Sequence, residues 1–315
     1  MSEPGRSVGN VASGSSPSPV SIAVQFVLTG IVWGSSFLFI AIALDGMTPA
    51  QVAGGRLLFG ALALAAIVAI RRERLPRGRR IWGHLCVLSL SFCVVPFLLF
   101  AWAEQHVSSG LASIFNATTP IMTAVMAWAV FRVEKLHLGQ LVGIAIGIVG
   151  VVVIIAPGAV SDIGESTVAQ LALLGATACY GFTLAYMRRF LGDSGLSGIA
   201  FAFGYIAPAA AFMVLLSPLI LAEPMRLSTP VVLSIVALGV LGTGIAYVWN
   251  QNTLKAWGPT RASTVTYITP VVGVALGILV LGERISWNEP VGTAVVFLGI
   301  LLVQERLRLR PRARA

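Results

Sequence analysis

Ten predominantly apolar stretches, most of them long enough to cross a lipid bilayer, run along this chain of 315 residues. A helix needs roughly 20 residues to span the ~30 Å hydrocarbon layer, where each backbone polar group must find its partner within the protein. The sequence therefore predicts an all-α integral membrane protein with ten transmembrane helices. The predicted spans are 20–44, 49–70, 81–103, 108–131, 138–156, 167–187, 197–222, 230–252, 259–281 and 287–303.

The composition excludes a water-soluble protein of ordinary make-up, because 57% of the residues are hydrophobic and only 10% are charged. A net charge of +9 would suggest nucleic acid as a partner of a soluble chain. Here most basic residues lie in short segments beside apolar stretches, where they set topology, so we predict a lipid bilayer and no nucleic acid as partner. Cys86, Cys93 and Cys179 lie within apolar stretches without paired Cys or His, so neither a metal site nor another cofactor is predicted.

The second half of the chain repeats a pattern of the first half at an offset of about 150 residues. The recurring features are Thr119-Pro120, Glu134-Lys135 and Gly143 in the first half, and Thr269-Pro270, Glu283-Arg284 and Gly292 in the second. Two copies of a five-helix unit must have opposite orientations, since five is odd. We therefore predict inverted repeats at residues 20–157 and 166–305.

Two tails flank the predicted repeats. Residues 1–19 are rich in Ser, Gly and Pro and are predicted to be disordered, and residues 306–315 form a basic tail. Most of the 21 Lys and Arg residues fall in the tails and in the loops on the same side of the membrane. Only Arg226 and Arg284 fall in loops on the opposite side. This bias predicts an inner-membrane protein with both termini in the cytoplasm.

The repeat residues resemble those of the EamA-type transporters of the drug/metabolite transporter superfamily. Trp33-Gly34-Ser35-Ser36 in the first span and Gly282-Glu283-Arg284 after the ninth strengthen the resemblance, which covers about residues 20–305. It implies a ten-helix bundle with a central cavity and an exporter of a small metabolite, such as an amino acid or a related compound. The first span holds no acid, unlike that of the small multidrug members of the superfamily.

Polar residues follow one face of the fourth span and recur in the ninth. A shift of 150 residues superimposes Ser113 on Ser263 and Asn116 on Thr266. Helices at a repeat interface line substrate sites in transporters, although Ser, Thr and Gly also allow helices to pack closely. Pro120 and its mate Pro270 remove backbone donors, and we predict that they kink their helices and act as hinges.

Arg56 is the one charged residue well inside a predicted span. A membrane-embedded Arg is costly unless it faces a cavity or a partner, so it could hold a substrate carboxylate; alternatively it could extend to the membrane surface. Aromatic residues within the spans are further candidates for the cavity, although interfacial belts explain many of them. The predicted substrate-binding residues are Trp33, Ser36, Arg56, Asn116, Tyr180, Tyr247, Asn250, Thr266 and Tyr267.

These features predict a secondary transporter that works by alternating access, and not an enzyme. A multidrug or lipophilic-cation exporter is the alternative within the same class, and a membrane enzyme or a channel are the alternatives of other classes. No acid falls in the core of a predicted span, so coupling through a buried carboxylate is not expected. Gly139, Gly143 and Gly147 form a small-residue face that predicts packing within the bundle, with homodimerisation as the alternative; we expect a monomer or a weak homodimer.

Overall fold

A computed structural model describes residues 19–161, 164–192, 195–257, 262 and 264–304. Of the predicted tails, residues 1–18 of the tail 1–19 and all of 306–315 lie outside the described residues, as does Ser263. The helices are α1 (Pro19–Leu44), α2 (Pro49–Arg71), α3 (Arg79–Ala103), α4 (Ser109–Ala129), α5 (Leu138–Ser161), α6 (Glu165–Phe190), α7 (Gly198–Leu215), α8 (Thr229–Trp257), α9 (Val265–Leu281) and α10 (Asn288–Val303).

The all-helical prediction is confirmed, but the number of spans is confirmed only in part. Eight of the described helices are apolar and long enough to cross a membrane. The other two, α9 and α10, have 17 and 16 residues. α9 begins directly after a segment that is only partly described, and α10 follows a short loop after Gly282, where a left-handed backbone (φ 66°) ends α9.

Helix contacts follow the pseudo-symmetry of the two repeats. α1 packs on α9 in the second repeat, and its mate α6 packs on α4 in the first. In the same way α2 packs on α8 and its mate α7 packs on α3, while α5 pairs with its own mate α10. Each repeat therefore buries its apolar faces largely against the other, and the bundle is one packed unit.

Glycines bring α5 and α10 into backbone contact. A Cβ added at Gly143 would lie 2.7 Å from the carbonyl oxygen of Gly299, and one added at Gly299 would lie 2.6 Å from the amide nitrogen of Gly147. Gly139 has no neighbouring atom within 4 Å of such a Cβ. Gly143 and Gly147, two of the three glycines predicted to form a packing face, therefore pack within the bundle.

α4 is broken in the middle of the membrane. Its first half ends at Asn116 and its second half begins at Thr119, with Pro120 in the first turn, where its missing N–H costs nothing. The Thr118 and Thr119 hydroxyls donate to the carbonyls of Phe115 and Asn116, at 2.8 and 2.7 Å. Side-chain hydroxyls thus satisfy backbone groups that the break releases.

Candidate functional site

Two π-helical segments lie at corresponding places in the two repeats. They are Ser89–Val94 in α3 and Leu238–Ile245 in α8, again about 150 residues apart. A π segment widens the helix by one residue per turn, and such segments are frequent at functional sites. The segment in α8 contacts Arg56 through Thr243 and Trp33 through Gly242, and Phe92 of the segment in α3 packs on Tyr247, two residues after the segment in α8.

Arg56 projects from α2 into the bundle. Its Nε donates to the Thr243 hydroxyl in the π segment of α8 (2.9 Å), and its guanidinium carbon lies 3.8 Å from the centre of the Phe97 ring on α3. The residue is 8% exposed, so it does not reach the membrane surface as a snorkelling side chain would. Within the described residues Nη1 and Nη2 have no hydrogen-bond partner, which leaves the bidentate edge of the guanidinium free.

An aromatic cluster, defined as Trp33, Phe92, Tyr180, Tyr205 and Tyr247, lies on the same part of the bundle. Phe92, from the π segment of α3, packs on the three tyrosines with ring centroids 5.3 to 6.0 Å apart. Trp33 packs edge-on against Tyr247 at 5.6 Å. Four helices therefore supply aromatic side chains besides α3, and the cluster can enclose the apolar part of an organic molecule.

Trp33 is fixed by a second contact, since its indole Nε1–H donates to the carbonyl of Gly242 in the π segment of α8 (3.1 Å). Ser36, one turn along α1, is buried and packs against the same glycine. The structure thus brings together five of the predicted residues: Trp33, Ser36, Arg56, Tyr180 and Tyr247.

The other predicted residues lie elsewhere or at the margin. Asn116 is half-buried at the break of α4, and within the described residues its side-chain amide has no hydrogen-bond partner. Tyr267 donates to Gln304 (2.7 Å) and packs on Phe297, which places it between α9 and α10. Asn250 is half-buried one turn beyond Tyr247, and Thr266 is half-buried in the first turn of α9.

Phe92, Phe97 and Thr243 were not predicted as site residues. Phenylalanines in an apolar stretch carry no distinguishing signal, since most pack in the core. Thr243 lies in the run Gly242-Thr243-Gly244, and small polar residues in membrane helices usually reflect packing. The glycines around Thr243 were the one available hint of an irregular helix.

Two cavities open elsewhere on the bundle. One, of about 420 Å³, is bordered by Thr48, Trp102 and Glu223, and the other, of about 540 Å³, by Arg77, His84 and Arg189. Neither is lined by a member of the aromatic cluster. The cluster side chains pack on one another, so the structure describes a closed conformation of this region.

The repeated glutamates Glu134 and Glu283 make different contacts. The Glu283 carboxylate accepts from the backbone N–H groups of Ser109 (2.7 Å) and Gly110 (3.0 Å) and so caps α4. Glu134 instead forms an ion pair with Arg188 (2.8 Å) at the surface. The cap connects the loop between α9 and α10 to the first repeat.

Glu104 is a buried acid that lies just beyond the end of the predicted span 81–103. It directly follows the last residue of α3, and both carboxyl oxygens are buried without a hydrogen-bond partner in the described part of the chain. Burial raises the pKa of this carboxyl well above its usual range; nearby Glu283 raises it further and Arg56 opposes the shift. The sequence places Glu104 at the end of a span, and the folded bundle buries it.

Replacing Glu283 with Ala is expected to lower the free energy of unfolding by about 0.5 to 2 kcal/mol, the usual cost of losing a helix N-terminal cap. Thermal unfolding of the purified protein in detergent measures this. Glu134→Ala is the matched control, because its partner Arg188 is 61% exposed and such pairs contribute less than about 1 kcal/mol. Equal destabilisation by the two variants would contradict the capping role.

Comparison with known proteins identifies the family. The model of the EamA-like transporter family matches residues 20–156 and 167–304, one copy on each half of the chain. The chain belongs to the EamA-like transporter family. The resemblance based on the repeat residues is therefore confirmed, and the membership shows a membrane transporter.

Curated relatives agree with membership of the EamA-like family. The "Uncharacterized inner membrane transporter YedA" of Escherichia coli (strain K12) is 28% identical over 87% of each chain, and the "Uncharacterized transporter YdfC" of Bacillus subtilis (strain 168) is 30% identical over 89% of this chain and 90% of that one. A "Probable terminal-alkyne amino-acid exporter" of Streptantibioticus cattleyicolor is 26% identical over 91% of this chain and 94% of its own.

A solved crystal structure shares the fold. It superimposes with a TM-score of 0.65 at 19% identity and covers 91% of this chain and 99% of the other. At that identity the likeness concerns the fold alone.

Proposed function

We propose that this EamA-like transporter exports a small carboxylate-bearing metabolite, an amino acid or a related compound, by alternating access. The observation that carries the proposal is the buried Arg56 guanidinium, held between Thr243 in the π segment of α8 and the Phe97 ring on α3, with no hydrogen-bond partner for Nη1 and Nη2 among the described residues. A guanidinium with a free edge binds a carboxylate through two parallel charge-assisted hydrogen bonds. The carboxylate of a substrate is the counter-charge that this site lacks.

The aromatic cluster supports an organic substrate rather than an inorganic anion. Its rings offer apolar area beside Arg56, and the tyrosine hydroxyls offer polar contacts. A lipophilic cation fits this site less well, because it would have to approach a buried positive charge. One relative is named as a probable amino-acid exporter, and an amino acid is a substrate that has both a carboxylate and an organic body.

The arginine bias of the loops supports an orientation with both termini in the cytoplasm. In that orientation Arg56, seven residues after Pro49, lies about 10 Å from the outer end of α2. α4 contributes a second element of the proposal, because broken helices in transporters present unpaired polar groups to a substrate. Asn116 lies at that break with a free amide.

A thermal-shift screen of the purified protein tests the substrate class. Ligands that bind the folded state raise the melting temperature. Each amino acid is compared with its decarboxylated amine, and lipophilic cations and nucleobases form the other arms. Stabilisation by carboxylates alone agrees with the proposal, whereas stabilisation by lipophilic cations alone would make the protein a multidrug exporter.

Asn116→Ala is expected to slow transport while leaving the melting temperature within about 1 °C of the parent. The amide makes no hydrogen bond within the described residues, and an intramembrane hydrogen bond contributes only about 0.6 kcal/mol on average. Transport rate and melting temperature are measured on the same preparation. A stability loss with unchanged transport would mean that Asn116 serves packing.

A further inference from the structure

The carboxyl group of Glu104 is the second buried charged group in this half of the bundle. The residue is 9% exposed, and neither Oε1 nor Oε2 has a hydrogen-bond partner in the described chain. Buried carboxyl groups are costly to ionise unless paired, so they mark sites where a partner arrives from outside the protein. The nearby hydroxyl of Ser109 is also buried and without a partner.

Glu104 and Phe97, whose ring Arg56 of α2 stacks on, lie at the two ends of one face of α3. Arg56 is stacked over Phe97, and Glu104 follows Phe97 by seven residues, two helical turns later and on the same face. The rise along the helix is therefore about 10 Å. Phe100 and Ala101, both buried, lie on that face between them.

The two groups do not neutralise each other. The ion pairs among the described residues are His106 with Glu165 and Arg188 with Glu134. Arg56 and Glu104 nonetheless interact electrostatically, and the other charged group acting on Glu104 is Glu283, which is engaged in capping α4. A buried cation and a buried acid thus lie near enough to interact but form no ion pair among the described residues.

The reach of an amino acid zwitterion is comparable to the rise of about 10 Å along α3 between Phe97 and Glu104. A charge-assisted hydrogen bond of about 2.8 Å at each end, with about 3 Å between the ammonium nitrogen and a carboxylate oxygen, spans roughly 9 Å. A simple carboxylate would leave Glu104 without a partner, and a simple amine would leave Arg56 without one. A ligand that carries both groups satisfies both residues.

We propose that Glu104 is the ammonium-binding residue of the substrate site, which makes the substrate an α-amino acid with a free amino group. The proposal rests on the proposed function, because it takes Arg56 as the carboxylate-binding residue. The Glu104 carboxyl loses its proton to solvent when it binds the ammonium group, which keeps its own protons. Glu104 therefore selects among carboxylates, whereas Arg56 selects carboxylates as a class.

Three substrates and one variant test the proposal in proteoliposomes that contain the full chain. An amino acid, its N-acetyl derivative and its decarboxylated amine are compared in the parent and in Glu104→Gln. The parent is expected to transport the free amino acid at least about tenfold faster than the N-acetyl derivative, the effect of about 1.4 kcal/mol. In Glu104→Gln that ratio is expected to fall to about one, because a neutral amide no longer favours an ammonium group.

The substitution should leave the fold intact, since the Glu104 carboxyl has no hydrogen-bond partner among the described residues, and an unchanged melting temperature verifies this. Glu165→Gln, an exposed acid on the same side, should keep the parent ratio. Equal transport of the free and N-acetylated amino acid by the parent would overturn the role of Glu104 while leaving the proposed function standing. Transport of the amine as fast as the amino acid would overturn the proposed function, and the role of Glu104 with it.

Discussion

Arg56→Gln is expected to slow transport of carboxylate-bearing substrates by about 30-fold or more. Removing one partner of a buried, hydrogen-bonded charge pair costs about 2 to 5 kcal/mol, and each 1.4 kcal/mol is a factor of ten. Gln retains the length needed to contact Thr243 but offers neither the positive charge nor the paired donors. The effect should appear in initial rates measured in proteoliposomes at substrate concentrations below saturation.

Two further substitutions sharpen this prediction. Arg56→Lys keeps the charge and loses the planar fork, so its rate should lie between those of the parent and Arg56→Gln. Arg226→Gln removes an exposed arginine in the loop before α8 and should leave transport unchanged. Parent-like rates in Arg56→Gln for every carboxylate would remove Arg56 from the substrate site.

Gly299→Leu should destabilise the bundle by about 3 kcal/mol, at the upper end of the usual cost of overpacking. The added side chain would meet the carbonyl oxygen of Gly143 and the backbone of Gly147 at 2.6 to 2.8 Å, and backbone atoms cannot turn aside. α5 and α10 would have to separate. The change is read as a lower melting temperature and greater loss of folded protein in detergent.

Gly139→Leu provides the matched control, because a Cβ at that position has open space around it. Gly139 lies on the same helix as Gly143. Gly139→Leu makes the same change in side-chain volume and intrinsic helix propensity as Gly299→Leu. Equal destabilisation by both variants would mean that helix propensity, and not contact between α5 and α10, sets the cost.

The helical architecture could be predicted from the sequence because a bilayer restricts backbone geometry so strongly. The recurrence of Thr-Pro and Glu at matching intervals in both halves was enough to indicate two repeats and the family. Arg56 could be found for the same reason, since a charge inside an apolar span is rare. Embedded charges, prolines and the spacing of the repeat can all be recognised in the sequence without knowing how the helices pack.

The parts of the site that could not be predicted depend on how the helices pack together. Glu104 lies one residue beyond a predicted span, where water is the natural expectation, and only the folded bundle buries it. The π segments leave no periodic signature, so nothing in the sequence indicated that Thr243 contacts Arg56 or that Phe92 packs on three tyrosines. Tyr267 has the sequence features of a cavity residue but contacts α10 instead.

Alternating access is expected to involve the places where the two repeats differ in structure. α4 is broken before Pro120, whereas Pro270 lies inside the described helix α9. The two proline positions are therefore pseudo-symmetric in sequence and different in structure. We propose that exchange of these two geometries accompanies reorientation, because inverted repeats interconvert by exchanging conformations.

Counterflow in proteoliposomes tests the central claim, that the protein is a carrier with a carboxylate-binding site, most directly. Vesicles are loaded with excess unlabelled amino acid, and uptake of a trace of the labelled compound is followed over time. A carrier predicts transient accumulation of label above equilibrium, saturation with substrate, and loss of both in Arg56→Gln. Uptake that rises linearly with concentration, shows no overshoot and is unchanged in Arg56→Gln would contradict the account.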